Sequence, residues 1–417
     1  MLSPSLRGAP WSTARARKIA LPPPDCHDVA NTCIRSVTLV VKVAVVHDWL
    51  DTWRGGESVL AQILRLYPDA DLFALVDFLS PADRPALDGR RARTSYLQHV
   101  PFAKAGFRLL LPLFPRAIES LDVAAYDLVI SSSHAVAKGV RTHRRQVHIC
   151  YCYTPMRYAW DLREQYLSQT GLDRGLRSLA ANAVLARLRR WDRASSERVD
   201  HFIAISTHIA ARIRRCYGRD ATIIYPPVTV EHRDNEPKRE SLYLTVSQLV
   251  PYKRVDLLIE AFRRMPDREL VVVGEGPLRR NLQARAPANV RLLGRVSDAE
   301  RDGWLARARA FVFAAEEDFG IAPLEAQAFG TPVIAYAGGA ASETIPGLDA
   351  SAPAGLLFRD QSVPAIVDAV REFERDAARF TADACRANAR RFGVGRFRRE
   401  LAHFVATHAP VDGDAAR

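Results

Sequence analysis

Long hydrophobic runs are missing from this chain. No stretch of about 18 uninterrupted apolar residues occurs, so no membrane-crossing helix is expected. Cysteine is scarce: Cys26, Cys33, Cys150, Cys152, Cys216 and Cys385 are the only six. Cys150 and Cys152 have no second pair nearby to complete a zinc site. On a strand they share one face, as small buried thiols do. A reducing compartment without disulfides is therefore expected. Zinc-finger spacing and the aromatic motifs of RNA-binding sheets are also absent, which argues against a nucleic-acid partner. The formal net charge of +12 then points to other anions, either acidic lipid or phosphorylated small molecules. Residues 1–40 carry Arg7, Arg15, Arg17 and Lys18 ahead of Leu21-Pro22-Pro23-Pro24. They lack the apolar core and cleavage site of a secretory signal. A disordered extension, or an over-long start, is expected there.

What is present is an ordinary globular composition, 48% hydrophobic and 25% charged, over 417 residues. At about 100–200 residues per domain, that length predicts two domains. Organised sequence begins at Val41-Lys42-Val43-Ala44-Val45-Val46, a run typical of a buried parallel strand. Further strands are predicted at Asp71–Val76, Tyr126–Ser131, Gln146–Cys152 and His201–Ile205. The polar segment 229–240 reads as a linker. Strands resume at Ser241–Val246, Glu269–Gly274, Val290–Gly294, Ala310–Ala315 and Pro332–Ala335. Helices are expected to start near Lys253, Leu278, Ser297 and Ala322. Short strands alternating with helices predict an α/β protein with two doubly wound parallel sheets. The expected boundaries are 41–228 and 241–395, with a helix in the tail 396–417 crossing back onto the first domain. Ligands would bind between the carboxyl ends of the two sheets.

The strongest chemical signal is Glu316-Glu317-Asp318-Phe319-Gly320-Ile321 at a strand end, running into a helix that carries Glu325. Three consecutive acids at the end of a buried strand have no packing rationale. The unpaired amides of Phe319, Gly320 and Ile321 suit hydroxyl or phosphate oxygens. At Gln248-Leu249-Val250-Pro251-Tyr252-Lys253-Arg254, two cations open a helix against its dipole, which favours a diphosphate ligand. Gly55-Gly56 leaves the first strand for a helix and can bring amides close to a phosphate. Tyr153, Arg157, Tyr158 and Trp160 combine aromatic faces and charge at another strand end, as a sugar site would. Ser131 to His134 closes one more strand, where a lone histidine is ordinarily structural. Asp69-Ala70-Asp71 spells a metal-binding D-x-D, but it begins a strand instead of ending one. Phe102 to Phe114, with Lys104, Arg108 and Arg116, suits either an anionic bilayer surface or a packed helix with solvated cations. Arg187, Arg189, Arg190 and Arg193 form a second basic group around Trp191.

The run Glu317-x7-Glu325 is followed by Phe329-Gly330-Thr331-Pro332-Val333-Ile334-Ala335, Gly338-Gly339 and Glu343-Thr344. Together they resemble retaining glycosyltransferases of family 4, over most of residues 41–395. Within that family the likeness is to bacterial mannosyltransferases of O-antigen and exopolysaccharide assembly. The resemblance implies the GT-B fold, with two Rossmann-like domains facing a cleft. It implies a ribose contact for Glu325 and a sugar-facing catalytic place for Glu317. Lys253 matches the lysine of the donor diphosphate site, while Gln248 stands where relatives have arginine, with Arg254 as a possible substitute. The donor base would lie near Arg295 and Val296, and the Gly56 loop would face the diphosphate. Tyr153, a second catalytic candidate, stands where relatives usually carry histidine.

By the same resemblance the donor is a nucleotide-sugar, GDP-mannose, and the acceptor a lipid-linked saccharide. Acceptor and membrane contacts are expected at Lys104, Arg108, Arg116 and Arg157. The protein would work in the cytoplasm, peripherally on the inner face of the plasma membrane, with neither cofactor nor metal. Two alternatives remain open: a catalytically silent nucleotide-sugar binder or scaffold, and a nucleotide-sugar epimerase on the same fold.

Overall fold

The computed structural model describes residues 41–161, 167, 175–229 and 238–409. The N-terminal segment 1–40, positions 230–237 of the expected linker and the tail beyond 409 lie outside the described residues.

The first sheet has seven strands: β1 (Val43–His47), β2 (Asp71–Ala74), β3 (Arg93–Thr94), β4 (Leu128–Ser133), β5 (Val147–Cys152), β6 (His201–Ala204) and β7 (Ala221–Ile223). The second has six: β8 (Tyr243–Val246), β9 (Leu270–Val273), β10 (Val290–Gly294), β11 (Ala310–Phe313), β12 (Val333–Tyr336) and β13 (Gly355–Phe358). Neighbouring strands pair in parallel, for example Val45 with Ile130 and Val312 with Ile334. The central strands are buried on both faces. Every residue of Val-Ala-Val-Val-His in β1 and of Leu-Val-Val-Val in β9 is buried, as expected when helices cover both sides of a sheet. Strands β3, β7 and β13 escaped the sequence reading for a physical reason. All three are edge strands of two to four residues without a long β-branched run.

Among the described residues, nine helices have eight or more residues. They are α1 (Gly55–Leu66), α2 (Gly175–Ser195), α3 (Thr207–Tyr217), α4 (Val255–Arg263), α5 (Asp298–Arg307), α6 (Ile321–Ala328), α7 (Val363–Arg375), α8 (Ala382–Arg390) and α9 (Val394–His408). Their limits follow local chemistry. Ser206 caps α3 by accepting from the Ile209 amide at 3.1 Å, and Gly218 ends it in the left-handed region at φ +70°. Ser297 caps α5 in the same way, accepting from the Glu300 amide at 3.2 Å. No helix among the described residues is long and apolar enough to cross a membrane.

The strand orders are β3-β2-β1-β4-β5-β6-β7 and β10-β9-β8-β11-β12-β13. Each therefore reverses direction once, between β1 and β4 and between β8 and β11. At such switch points the loops leaving adjacent strands diverge and open a crevice at the carboxyl ends. The two crevices face each other. Helix α9, expected from Gly395, starts at Val394 and crosses to the first domain. There Arg398 donates to Gln62 Oε1 at 2.6 Å, and Phe397 sits edge-on to Tyr151 at 5.7 Å. Phe319 leaves the second domain to stack on Tyr225 (5.8 Å) and meet Phe392 (5.6 Å). Burial of such a ring contributes about 2–3 kcal/mol, here to holding the domains together. The sequence placed Phe319 by its amide; the structure shows its ring in the joint core. The Phe319 and Gly320 amides donate no hydrogen bond among the described residues.

Candidate active site

The switch point of the second sheet brings together the loops after β8 and β11. Lys253 lies in a single 3-10 turn, Pro251–Lys253, closed by Arg254 in the left-handed region at φ +51°. Its ammonium pairs with the Glu317 carboxylate and lies 5.6 Å from the Phe313 ring. The Glu317 backbone is fixed as well: its carbonyl accepts from the Ala340 amide at 2.8 Å. Gly339 presses on the same segment at φ +70°, so a Cβ there would strike the Glu317 backbone. Gly274 and Gly276 let the loop after β9 lie directly against Ser247 and Leu249. They are therefore packing glycines for the β8 loop.

Glu325 lies in α6 with no hydrogen bond to its carboxylate among the described residues. Burial raises its pKa, with the Arg301 guanidinium of α5 opposing that shift. A carboxylate in this position can receive two hydroxyl donors. Arg295 and Val296 occupy the loop immediately before α5. Arg295 is exposed, and Val296 packs on the core. Gln248 is exposed on the β8 loop. Arg254, offered as its substitute, instead directs its guanidinium to Asp256 at 3.3 Å and Gln361 at 3.1 Å.

The three acids diverge. Glu317 stays within its own domain, and Glu316 approaches His208 of the other domain at 3.9 Å. Asp318 crosses the cleft: Arg157 Nε donates to it at 2.9 Å and Arg212 at 2.8 Å, while its carbonyl accepts from Ser206 Oγ at 2.6 Å. Arg157, expected at the cleft rim among the acceptor contacts, lines the cleft. Its guanidinium is drawn into the cleft by Asp318 and lies 5.8 Å from the Tyr252 ring. Glu343 adds a second bridge, accepting from the Thr207 and His208 amides at 2.8 and 3.1 Å. A carboxylate at a helix N-terminus satisfies unpaired amides and complements the dipole. Neither Asp318 nor Glu343 was assigned a role from sequence. The surplus of acids over partners in 316–318 was the available signal; the arginines answering them lie more than 100 positions away. The cleft between these elements has a volume of about 730 Å³ and is lined by Arg157, Arg212, Tyr252, Arg254 and Asp318, among others.

The first domain supplies the opposing wall. Gly55 abuts the Ile321 side chain at the start of α6, with no room for a Cβ. Tyr153 was expected among the catalytic groups, but its hydroxyl donates to the Gly56 carbonyl at 2.9 Å and bonds Ser132 Oγ at 2.9 Å. Burial raises its pKa strongly, so it is a neutral phenol that positions the glycine loop. Asp71 of the D-x-D opens β2, at the end of the strand away from this cleft, and accepts from Tyr126 OH and pairs with Arg93 at 3.2 Å. Cys150 and Cys152 are buried thiols in β5.

The segment with Lys104, Arg108 and Arg116 forms short helical turns, Ala103–Gly106, Phe107–Leu113 and Phe114–Glu119. All three cations are exposed. Beside them Phe102 is 91% and Leu109 85% exposed, too apolar for an ordinary solvated face. Arg108 also reaches Asp51 at 2.6 Å, tying this surface to the loop after β1.

Comparison with known proteins agrees with this architecture. Residues 44–232 match the family described as Glycosyltransferase Family 4, and residues 229–392 match Glycosyl transferases group 1. A GDP-mannose-dependent monoacylated alpha-(1-6)-phosphatidylinositol monomannoside mannosyltransferase of Corynebacterium glutamicum is 32% identical over 178 residues, covering 35% of this chain and 47% of that protein. D-rhamnosyltransferase WbpZ of Pseudomonas aeruginosa is 35% identical over 127 residues, covering 28% and 33%. The chain thus spans about half or less of the length of these curated relatives. Among solved structures, Anabaena HepE in complex with UDP and glucose superposes with a TM-score of 0.65 at 17% identity, over 88% of this chain and 100% of that one. That likeness bears on the fold. Two family matches that together run through both domains and the shared GT-B architecture give one assignment: the chain belongs to glycosyltransferase family 4 and has the GT-B fold, with mannosyltransferases among the proteins it is similar to.

Proposed function

We propose that this protein transfers mannose from GDP-mannose, with retention of configuration, to a lipid-linked saccharide at an anionic membrane face. The observation carrying the reading is the Lys253–Glu317 pair at the β8/β11 switch point, opposite the Gly55–Gly56 loop. Lys253 and the amides of Phe319 and Gly320 would neutralise the donor diphosphate, Glu325 would hold the ribose, and Glu317 would contact the transferred sugar. The bond from the anomeric carbon to the diphosphate oxygen breaks as the acceptor oxygen bonds to that carbon on the same face. The acceptor proton passes to the departing diphosphate oxygen. Preorganised cationic and amide charge makes this step possible without a metal ion. The names of relatives in Corynebacterium and Mycobacterium, which specify GDP-mannose and phosphatidylinositol mannosides, support the donor and a lipid-borne acceptor. The exposed Phe102 and Leu109 beside Lys104, Arg108 and Arg116 support contact with anionic lipid.

Calorimetry against GDP, UDP and ADP tests the donor, with GDP expected to bind at least tenfold tighter. Equal affinity for the three would sink the base assignment. Transfer should survive excess EDTA and retain the anomeric configuration by NMR. Isomerised donor without acceptor would indicate an epimerase, and binding without turnover a silent homologue.

A further inference from the structure

Glu317 and Asp318 are consecutive residues, and each holds a cation from a different domain. The Lys253 ammonium pairs with Glu317 Oε1, while Arg157 Nε donates to Asp318 Oδ2 at 2.9 Å. Both cations flank the Tyr252 ring, Lys253 at 5.4 Å and Arg157 at 5.8 Å. Two ion pairs thus stand side by side at one tyrosine. The Lys253 and Glu317 side chains are only 18% and 17% exposed, so water screens their attraction in part. Among the described residues Glu317 is the one hydrogen-bond acceptor of the ammonium, whose other neighbours are the Phe313 and Tyr252 rings.

The two partners differ in freedom. The Glu317 carbonyl accepts from the Ala340 amide at 2.8 Å, and the Asp318 carbonyl accepts from Ser206 Oγ at 2.6 Å. A backbone held on both sides keeps the carboxylate at the switch point. Lys253 carries its charge on a flexible four-carbon stem and can swing between neighbouring anions. A terminal phosphate carries more charge than a carboxylate and offers three acceptor oxygens. When it takes the ammonium, Glu317 still has a cation nearby. Burial alone would lower the Arg157 pKa, yet Asp318 and, after it, Glu317 raise it, so Arg157 is close enough to feel both carboxylates.

We propose that Glu317 and the donor diphosphate compete for the Lys253 ammonium. Seating the phosphate next to the sugar releases the Glu317 carboxylate to the sugar hydroxyls. Its return to Lys253 after transfer loosens the nucleoside diphosphate and promotes its departure. The proposal rests on the donor reading above and gives Glu317 a second role, in product release. With Glu325 on the ribose and Glu317 on the sugar, the phosphate within reach of Lys253 is the one that bears the sugar. A nucleoside monophosphate has no phosphate at that place and does not compete.

Calorimetry with GDP and GMP on the parent, Glu317→Gln, Lys253→Gln and the double variant tests this. Glu317→Gln should lower transfer yet tighten GDP at least fivefold, with GMP affinity within about twofold of the parent. Lys253→Gln should weaken GDP at least tenfold. Adding Glu317→Gln to Lys253→Gln should then change GDP affinity less than twofold, because the competed cation is gone. Equal tightening in that background would mean plain repulsion between carboxylate and phosphate, and would overturn the competition. Unchanged or weaker GDP binding in Glu317→Gln would overturn it as well. If Glu317→Gln fails to fold, Glu317→Asp, one methylene short of Lys253, decides: GDP should tighten at least twofold, and parental affinity refutes the proposal. Parental GDP affinity in Lys253→Gln would instead remove the donor reading itself, and the proposal with it.

Discussion

Asp318→Asn perturbs one oxygen of one side chain and should uncouple the two domains. Removing one partner of a buried ion pair commonly costs about 3–5 kcal/mol, because the other charge is left unpaired. Two features reduce that here. Arg212 keeps a second carboxylate, Asp161, at 2.8 Å, and the Arg157 side chain is 24% exposed to the cleft. The asparagine oxygen can still accept from one arginine. A cost of about 2 kcal/mol to the closed arrangement follows, a shift of roughly 30-fold in the closed-to-open ratio. Glu317 is the residue immediately before Asp318, so opening withdraws the sugar-facing carboxylate from the first domain. Turnover should therefore fall about 10- to 30-fold, with GDP affinity within about twofold, because Lys253, Glu325 and the Phe319 and Gly320 amides all belong to the second domain. Small-angle scattering should show a larger radius of gyration, and Asp318→Glu should recover part of both effects. Parental turnover together with an unchanged scattering profile would refute the latch. A parallel loss of GDP affinity would move Asp318 into the donor site.

The remaining tests address the donor, the joint and the membrane face. Glu325→Gln should weaken GDP binding about tenfold without lowering the thermal midpoint, as calorimetry and a melting curve will show. Because burial raises the Glu325 pKa and Arg301 opposes it, GDP affinity should begin to fall, as pH is lowered, at a higher pH than an ordinary carboxylate would give; Arg301→Met should move that onset higher still. Phe319→Ala should cost about 3–5 kcal/mol by removing a ring from the interdomain stack, measured as loss of the unfolding midpoint. Changing Lys104, Arg108 and Arg116 to Gln should reduce co-sedimentation with anionic vesicles at low salt and leave GDP binding intact; parental sedimentation would make the segment an ordinary packed surface.

The sequence by itself determined the α/β class, the central strands and the place of Glu317, Glu325 and Lys253. Those features are written in local terms. Buried parallel strands need contiguous β-branched residues, and a ligand loop must interrupt that pattern at a strand end, as Glu316 to Gly320 does after β11. Helix α9 was legible for the same reason, through its own apolar face. Only the tertiary structure decided what the side chains around these positions do. Arg157 reads as a cation at the cleft rim, but only the fold shows that Asp318, 161 positions away, holds it. Tyr153 read as a catalytic group until its hydroxyl was found on Gly56 and Ser132. A lone histidine such as His134 carries no local pattern. Its orientation depends on Asp48, which β1/β4 pairing brings to it across 86 residues of chain. Hydrophobic patterning repeats every few residues and is visible in any short window. Charge pairing across a cleft is set by which strand ends the sheet order makes neighbours, and that order is fixed by packing over the whole fold.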